Sequence, residues 1–75
     1  INILVAGGGY TGIEIATNIN FALNKDGIKH KIFIVEKNKD ILMMVPDWIR
    51  SEIKRELEKL GIKVRCGEAL KEYDG

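Results

Sequence analysis

The chain has 75 residues, of which 45% are hydrophobic and 31% are charged, and its formal net charge is +1. This length allows at most one small domain, and the composition is that of an ordinary globular protein. The balanced charge gives no basic excess for nucleic acid or anionic lipid, and a single cysteine, Cys66, excludes an internal disulfide.

The first half of the chain has the pattern of a strand, a glycine turn and a helix. The apolar run over residues 1–6 predicts a strand buried on both faces, as in a parallel sheet. Three glycines end that run. Residues 11–24 then carry apolar side chains at helical spacing. Ile15, Ile19 and Leu23 form the stripe expected to be buried, with Ile13 and Ala16 on adjoining positions.

The second half predicts a strand, a helix and a strand. Residues 31–36 are nearly all apolar and predict another buried strand. A helix is expected after Pro46, with Asp47 at its positive end. Its apolar stripe comprises Ile49, Ile53, Leu57 and Leu60, and Gly61 suits the left-handed residue that follows a helix. In residues 62–66, apolar and charged side chains alternate, which is typical of a half-exposed edge strand.

This alternation of strands and helices predicts an α/β fold. We expect a Rossmann-like βαβαβ unit with a parallel three-stranded sheet and right-handed crossovers. Residues 70–75 have the pattern of a further strand and turn. We therefore expect residues 1–75 to be a partial dinucleotide-binding domain, an internal fragment of a larger doubly wound domain.

A glycine motif lies between the first strand and the first helix. Gly7-Gly8-Gly9-Tyr10-Thr11-Gly12 fits the pattern G-x-G-x-x-G, which in this context is typical of dinucleotide binding. Gly7 permits the tight turn, Gly9 lets a pyrophosphate approach the backbone, and Gly12 allows close helix–sheet packing. The free N–H groups of the helix start suit phosphates. The candidate cofactor-binding residues here are Gly7, Gly8, Gly9, Tyr10, Thr11 and Gly12.

An acidic residue ends the second strand, as the dinucleotide motif requires. Glu36 lies 24 residues beyond Gly12. A carboxylate there can accept hydrogen bonds from the adenosine ribose and repel a 2′-phosphate, which favours NAD over NADP. Lys37 is a further candidate for cofactor binding, although Lys37 and Lys39 are more typical of surface charge.

Four other residue types that often carry chemistry are expected to be structural. Cys66 lacks the spacing of a redox pair, so we expect a packing role and a reducing, cytoplasmic setting. His30 lies in a predicted turn and is expected at the surface. The two methionines, Met43 and Met44, and the single tryptophan, Trp48, are expected to be packing residues.

The sequence resembles a known family over nearly its whole length. The similarity is to the NAD(P)H-binding domain of FAD-dependent pyridine nucleotide-disulfide oxidoreductases, which include type II NADH dehydrogenases and NADH oxidases. It is carried by residues 3–16, Val35-Glu36-Lys37, Asp40-Ile41-Leu42, Pro46-Asp47 and residues 60–64. The resemblance implies a small NADH domain inserted in a larger FAD domain, with hydride transfer from NADH to an FAD held by the rest of the parent chain.

The resemblance also implies roles for two residues near the nicotinamide. Tyr10 would lie beside the nicotinamide pocket, where it can cover the flavin. Glu14, on the first turn of the helix, would lie near the nicotinamide and the flavin. The parent enzyme would be cytoplasmic or peripheral to the inner face of a membrane, and the isolated segment is expected to be inactive.

Two other functions stay open at this stage. One is an NAD-sensing regulatory module in which no hydride moves, and the other is that the glycine motif binds FAD itself. The sequence leaves the electron acceptor open as well. The first strand would normally have a neighbour on each side. Because one neighbour is missing from this chain, we also expect the segment to self-associate through that edge.

Overall fold

A computed structural model describes residues 1–67 of the chain. Five elements follow in order: β1 (Asn2–Ala6), α1 (Tyr10–Lys25), β2 (Lys31–Glu36), α2 (Asp47–Lys59) and β3 (Ile62–Cys66). The predicted α/β class, element order and parallel pairing are confirmed. The further strand predicted at residues 70–75 lies outside the described residues.

The three strands form one parallel sheet in the order β1-β2-β3. Val5 on β1 lies beside Ile34 on β2, which in turn lies beside Val64 on β3. These side chains belong to one core cluster that also contains Ala16 of α1 and Leu57 of α2. Both helices therefore pack on the same face of the sheet, as two right-handed crossovers in the same direction require.

The opposite face of the sheet is largely open among residues 1–67. Leu4 is 42% exposed, and the guanidinium of Arg65 lies 5.4 Å from the centre of the Phe33 ring. The prediction that β1 is buried on both faces is therefore wrong for this part of the chain. The apolar composition of the strand was interpreted correctly, but neither crossover places a helix on that side.

The predicted apolar face of α1 is confirmed in part, since Ala16 is buried and Ile13 and Ile19 pack against the core. Ile15 is 45% exposed, whereas Gly12, Ala16 and Asn20 are buried. A Cβ atom on Gly12 would lie 2.0 Å from the carbonyl oxygen of Gly7. This close approach fixes the helix rotation, which centres the buried face on Gly12, Ala16 and Asn20 and leaves Ile15 at its exposed margin.

The second crossover follows the sequence pattern more closely. Leu57 is buried and Ile53 packs against the core, while Leu60 lies beyond the helix end and is exposed. Gly61 has a φ of +76°, the left-handed conformation predicted for it. β3 alternates between inward apolar and outward charged side chains, as expected for an edge strand. In residues 1–67, no helix combines the length and the apolar character needed to cross a membrane.

His30 lies in the turn before β2, where it is partly buried and makes two hydrogen bonds. Its Nδ1 lies 2.8 Å from the carbonyl oxygen of Ile28, and its Nε2 lies 2.7 Å from Oδ1 of Asn20. The Asn20 side chain is buried on α1 and needs a polar partner. His30 supplies this partner and connects the helix to the turn before β2.

Candidate dinucleotide site

The glycine loop lies at the carboxyl edge of the sheet, where parallel α/β sheets bind their ligands. Gly7 has a φ of +99°, a conformation that side chains resist, and its N–H donates to the carbonyl oxygen of Val35 at 2.8 Å. The chain then turns away from the sheet into α1. The loop therefore begins with its backbone bonded to β2, in the tight turn that the sequence predicted.

The other glycines of the motif meet different surroundings. A Cβ on Gly12 would collide with the Gly7 carbonyl, and a Cβ on Gly8 would lie 2.6 Å from Cγ2 of Ile41. A Cβ on Gly9 meets no described atom within 4 Å. Gly7, Gly8 and Gly12 are thus required by the fold. Gly9 is the position at which the absence of a side chain leaves open space.

The carboxylate of Glu36 binds the glycine loop directly. Its Oε1 accepts a hydrogen bond from the N–H of Gly8 at 2.6 Å, and its Oε2 accepts one from the N–H of Asn38 at 2.8 Å. The Asn38 and Gly8 bonds hold the pKa of Glu36 below its usual range, and burial opposes them only in part. Glu36 is therefore ionised at neutral pH although it is only 8% exposed.

The start of α1 keeps its N–H groups free of side-chain caps. Gly9 is the N-cap residue, no side chain among the described residues caps it, and the first turn contains no acid. Tyr10 and Thr11 are exposed. Glu14 is the fifth residue of the helix, so its predicted place on the first turn is wrong. The helix begins one residue earlier than the sequence indicated, which moves Glu14 into the second turn.

The connection between β2 and α2 forms the wall opposite the glycine loop. The N–H of Leu42 donates to the carbonyl oxygen of Gly8 at 3.0 Å, and Leu42 is buried with a φ of +45°. From α2, Arg50 donates to the carbonyl oxygens of Leu42 at 3.4 Å and Val45 at 3.0 Å. The sequence did not indicate these contacts, because no motif with a fixed spacing relates Gly8, Leu42 and Arg50.

A cavity of about 190 Å³ lies between the loop and this wall. It is smaller than the roughly 300 Å³ at which enclosed ligand pockets begin, so it can take only part of a dinucleotide. Its lining residues are Gly8, Gly9, Tyr10, Glu36, Leu42, Met43, Met44 and Val45.

Met43 and Met44, which line the cavity, were predicted with Trp48 to be packing residues, and that prediction is wrong within the described residues. Met44 is 99% exposed, Trp48 is 71% exposed and Met43 is 42% exposed. Hydropathy indicates that a side chain favours burial, but it does not identify what covers it. Lys37 is exposed beside Glu36, and Lys39 is exposed as well.

Cys66 is half-buried against the core at the end of β3. Burial raises the pKa of its thiol, and the nearby charges of Asp40 and Glu36 act in the same direction. The thiol is thus protonated at neutral pH and is a poor nucleophile, which agrees with a packing role. Residues 1–67 contain no group of three His, Cys, Asp or Glu side chains that could hold a metal ion.

Comparison with known proteins gives consistent matches. The family model described as pyridine nucleotide-disulphide oxidoreductase matches residues 2–75. The chain is 38% identical over 64 residues to demethylphylloquinone reductase NdbB of Synechocystis sp., an alignment that covers 85% of this chain. It spans only 15% of that relative's length.

Solved structures have the same fold. NDH2 from Plasmodium falciparum, solved in complex with NADH, superposes with a TM-score of 0.75 at 25% identity, over 87% of this chain and 15% of that one. A FAD-dependent pyridine nucleotide-disulphide oxidoreductase from Desulfovibrio vulgaris superposes with a TM-score of 0.70 at 24% identity, over 88% of this chain and 16% of that one.

Proposed function

The chain belongs to the pyridine nucleotide-disulphide oxidoreductase family, and on this premise we propose that it binds NADH for hydride transfer to an FAD held by other parts of a longer protein. The hydrogen bond from the Gly8 N–H to Oε1 of Glu36 carries this proposal. It joins the phosphate-binding loop to the ribose-binding acid, which are the two halves of a dinucleotide fingerprint.

The described residues fit a dinucleotide. Open space at Gly9 and the uncapped start of α1 suit the pyrophosphate, since N–H groups and the helix dipole both favour anions. The ionised Glu36 uses one lone pair on each oxygen for the backbone, which leaves others for ribose hydroxyls. Lys37 would lie at the rim of this ribose site.

The nicotinamide end is assigned to Tyr10 and Glu14. Tyr10 borders the cavity and is exposed, and Glu14 is exposed one turn further along α1. Bound NADH supplies the hydride and the flavin accepts it, while these residues bind and orient the ring. Family membership favours this role over a sensor without catalysis. The NADH in the Plasmodium relative favours NADH over FAD as the ligand of this loop.

We further propose that the chain is a partial NAD(H)-binding domain of a longer flavoenzyme and is inactive alone. The short span against its relatives supports this. β1 is an edge strand among the described residues, and the exposed Leu4 lies on the open sheet face. This edge and face suit the rest of the parent chain, or a second copy when the segment is isolated. The free thiol of Cys66 fits a reducing, cytoplasmic location.

Calorimetric titration of the full-length protein with NADH and NADPH tests the ribose role of Glu36. We expect weaker NADPH binding, because the Glu36 carboxylate repels a 2′-phosphate. Glu36→Ala should reduce the difference between the NADH and NADPH affinities. Glu58→Ala removes an exposed acid on α2 and should leave this difference unchanged. Equal affinity of the unmodified protein for both dinucleotides would contradict the role of Glu36, and a protein that binds neither would contradict the proposed function.

A further inference from the structure

Arg50 lies on the first turn of α2 with its side chain only 15% exposed. Its Nε donates to the Leu42 carbonyl at 3.4 Å and its Nη2 to the Val45 carbonyl at 3.0 Å. Its Nη1 donates to Oδ1 of Asp47 at 2.8 Å and lies 3.8 Å from Oδ2 of Asp40. All three nitrogens of the guanidinium thus contact the connection or the helix start, so Arg50 is committed to the protein's own chain.

A continuous path of hydrogen bonds leads from Arg50 to the proposed ribose site. Arg50 holds the carbonyl oxygen of Leu42, and the N–H of the same Leu42 donates to the Gly8 carbonyl at 3.0 Å. The N–H of Gly8 in turn donates to Glu36 at 2.6 Å. Leu42 and Gly8 each accept one of these bonds with the carbonyl oxygen and donate the next with the N–H group. A displacement of the connection therefore moves Gly8 and, through Gly8, the Glu36 carboxylate.

The backbone conformation of Leu42 explains why the connection has to be held by Arg50. Its φ of +45° is left-handed, which is uncommon for a residue other than glycine and persists only where surrounding contacts enforce it. Leu42 is buried, so its side chain contributes to this restraint. Arg50 donates to the carbonyl oxygens of Leu42 and Val45 and so holds both ends of the segment 42–45.

We propose that Arg50 is a positioning residue for the dinucleotide site, which holds the connection against the glycine loop without contacting the ligand. This proposal rests on the proposed function, because it assigns Arg50 to the wall of the ribose site. Without the hydrogen bonds from Arg50 to the carbonyls of Leu42 and Val45, Leu42 can leave its left-handed conformation. The bond to the Gly8 carbonyl is then lost, and the loop and Glu36 no longer keep their relative position.

Ligand binding to Arg50 variants of the full-length protein tests this role. Arg50→Met keeps the aliphatic stem and removes every donor, so we expect ADP-ribose and NADH to bind about 3- to 30-fold more weakly, the range for mutations within a coupled network. The limiting rate of flavin reduction at saturating NADH should not change, since the bonds of Arg50 go to Leu42, Val45 and Asp47 and not to Tyr10 or Glu14. Arg55→Met is the matched control, because Arg55 pairs with Glu52 on the exposed side of the same helix.

Arg50→Lys gives a second measurement if the methionine variant fails to fold. A lysine keeps the charge near Asp40 and Asp47 but lacks the planar fork needed to reach both carbonyls, so its ADP-ribose affinity should be intermediate. Unchanged ADP-ribose affinity in the folded variants, or an equal loss in Arg55→Met, would overturn the role of Arg50. If the unmodified protein binds neither ADP-ribose nor NADH, the proposed function fails first and the role of Arg50 fails with it.

Discussion

The two helices begin in equivalent places but in opposite electrostatic states. Each follows a strand at the carboxyl edge of the sheet, and both pack on the same sheet face. α1 starts after Gly9 with no acid in its first turn, whereas α2 starts after Pro46 with Asp47 in its first turn. Asp47 is also paired to Arg50 at 2.8 Å. The start of α2 has its own acid, whereas the start of α1 has none and leaves that place open for the proposed pyrophosphate.

The two starts are also held by different kinds of contact. The contacts at the start of α2 are local. The N–H of Arg50 donates to the Pro46 carbonyl, and the Arg50 side chain donates to Asp47. α1 is held by distant contacts, namely the approach of Gly12 to Gly7 and the bonds of Gly8 to residues of the β2 end and the connection. The start of α1, which we propose binds the pyrophosphate, has no local cap or acid, so distant contacts position it.

Gly12→Ala should cause the largest change, since it breaks the contact that holds α1. The new Cβ would lie 2.0 Å from the Gly7 carbonyl oxygen, a backbone atom that cannot move without the loop. We expect a loss of about 3 kcal/mol, at the upper end for overpacked sites, against about 1 kcal/mol gained in helix propensity. Hydrogen exchange of α1 and β1 amides in the full-length protein measures it, with the exposed Asn18→Ala as control. Unchanged protection would show that the approach is looser than described.

The residues that hold α1 also show how far the sequence could predict this site. Gly7, Gly12 and Glu36 were predicted because a motif with fixed spacing assigns each a role, and the turn, the close packing and the strand-end acid all occur. The motif does not specify Ile41, whose Cγ2 would lie 2.6 Å from a Cβ on Gly8 and so leaves no room for a side chain there. The contacts of Arg50 were missed for the same reason, since they depend on tertiary structure and follow no short-range pattern.

The errors in the predicted core have a related origin. Ile15 has the hydropathy and spacing of a core residue, but the contact at Gly12 sets the helix rotation and turns it outward. Leu4 faces the side of the sheet without a helix among the described residues, and Met44 lies beside the cavity with its side chain exposed. Periodicity correctly predicted which residues form helices and strands. It could not predict which neighbour covers each apolar side chain.

Gly9→Val should separate binding from folding at the start of α1. The loop has no described atom within 4 Å of a Cβ at Gly9, and its φ of −84° with ψ of −176° is extended backbone that valine adopts readily. We expect stability to change by less than about 1 kcal/mol, the scale of an N-cap change. NADH affinity should fall by at least about 100-fold, because the side chain would occupy the path of the pyrophosphate.

Titration with NADH and hydrogen exchange, both on the full-length protein, measure the two quantities for Gly9→Val. Gly8→Ala is the comparison, since its smaller added group meets Ile41 at 2.6 Å and should disturb the fold. Normal NADH affinity in Gly9→Val would place the phosphates elsewhere.

Thr11→Asp should make the start of α1 resemble that of α2. Thr11 is exposed on the first turn, so an aspartate there can interact with the helix dipole and stabilise the helix by about 0.3–1 kcal/mol. The same charge should repel the pyrophosphate and weaken NADH binding at least about fivefold, since two like charges roughly 4 Å apart repel by about 1 kcal/mol in bulk water and by more near a protein surface. Thr11→Asn controls for shape. A variant that is more stable and binds NADH equally well would contradict the pyrophosphate position.

Asp47→Asn is the converse change and should have the smallest effect. It removes the acid from the first turn of α2 and one partner of Arg50, but Arg50 keeps its bonds to Leu42 and Val45. Asp47 has an exposed side chain, and pairs of this kind contribute about 0.2–1 kcal/mol, so α2 should lose a few tenths of a kcal/mol in local stability. NADH affinity should stay within about twofold, since the helix that loses its acid is not the one that binds the phosphates. Hydrogen exchange of α2 amides at low and high salt measures the first effect, because screening should abolish it. A tenfold loss of NADH affinity would mean that the two helix starts act as one site.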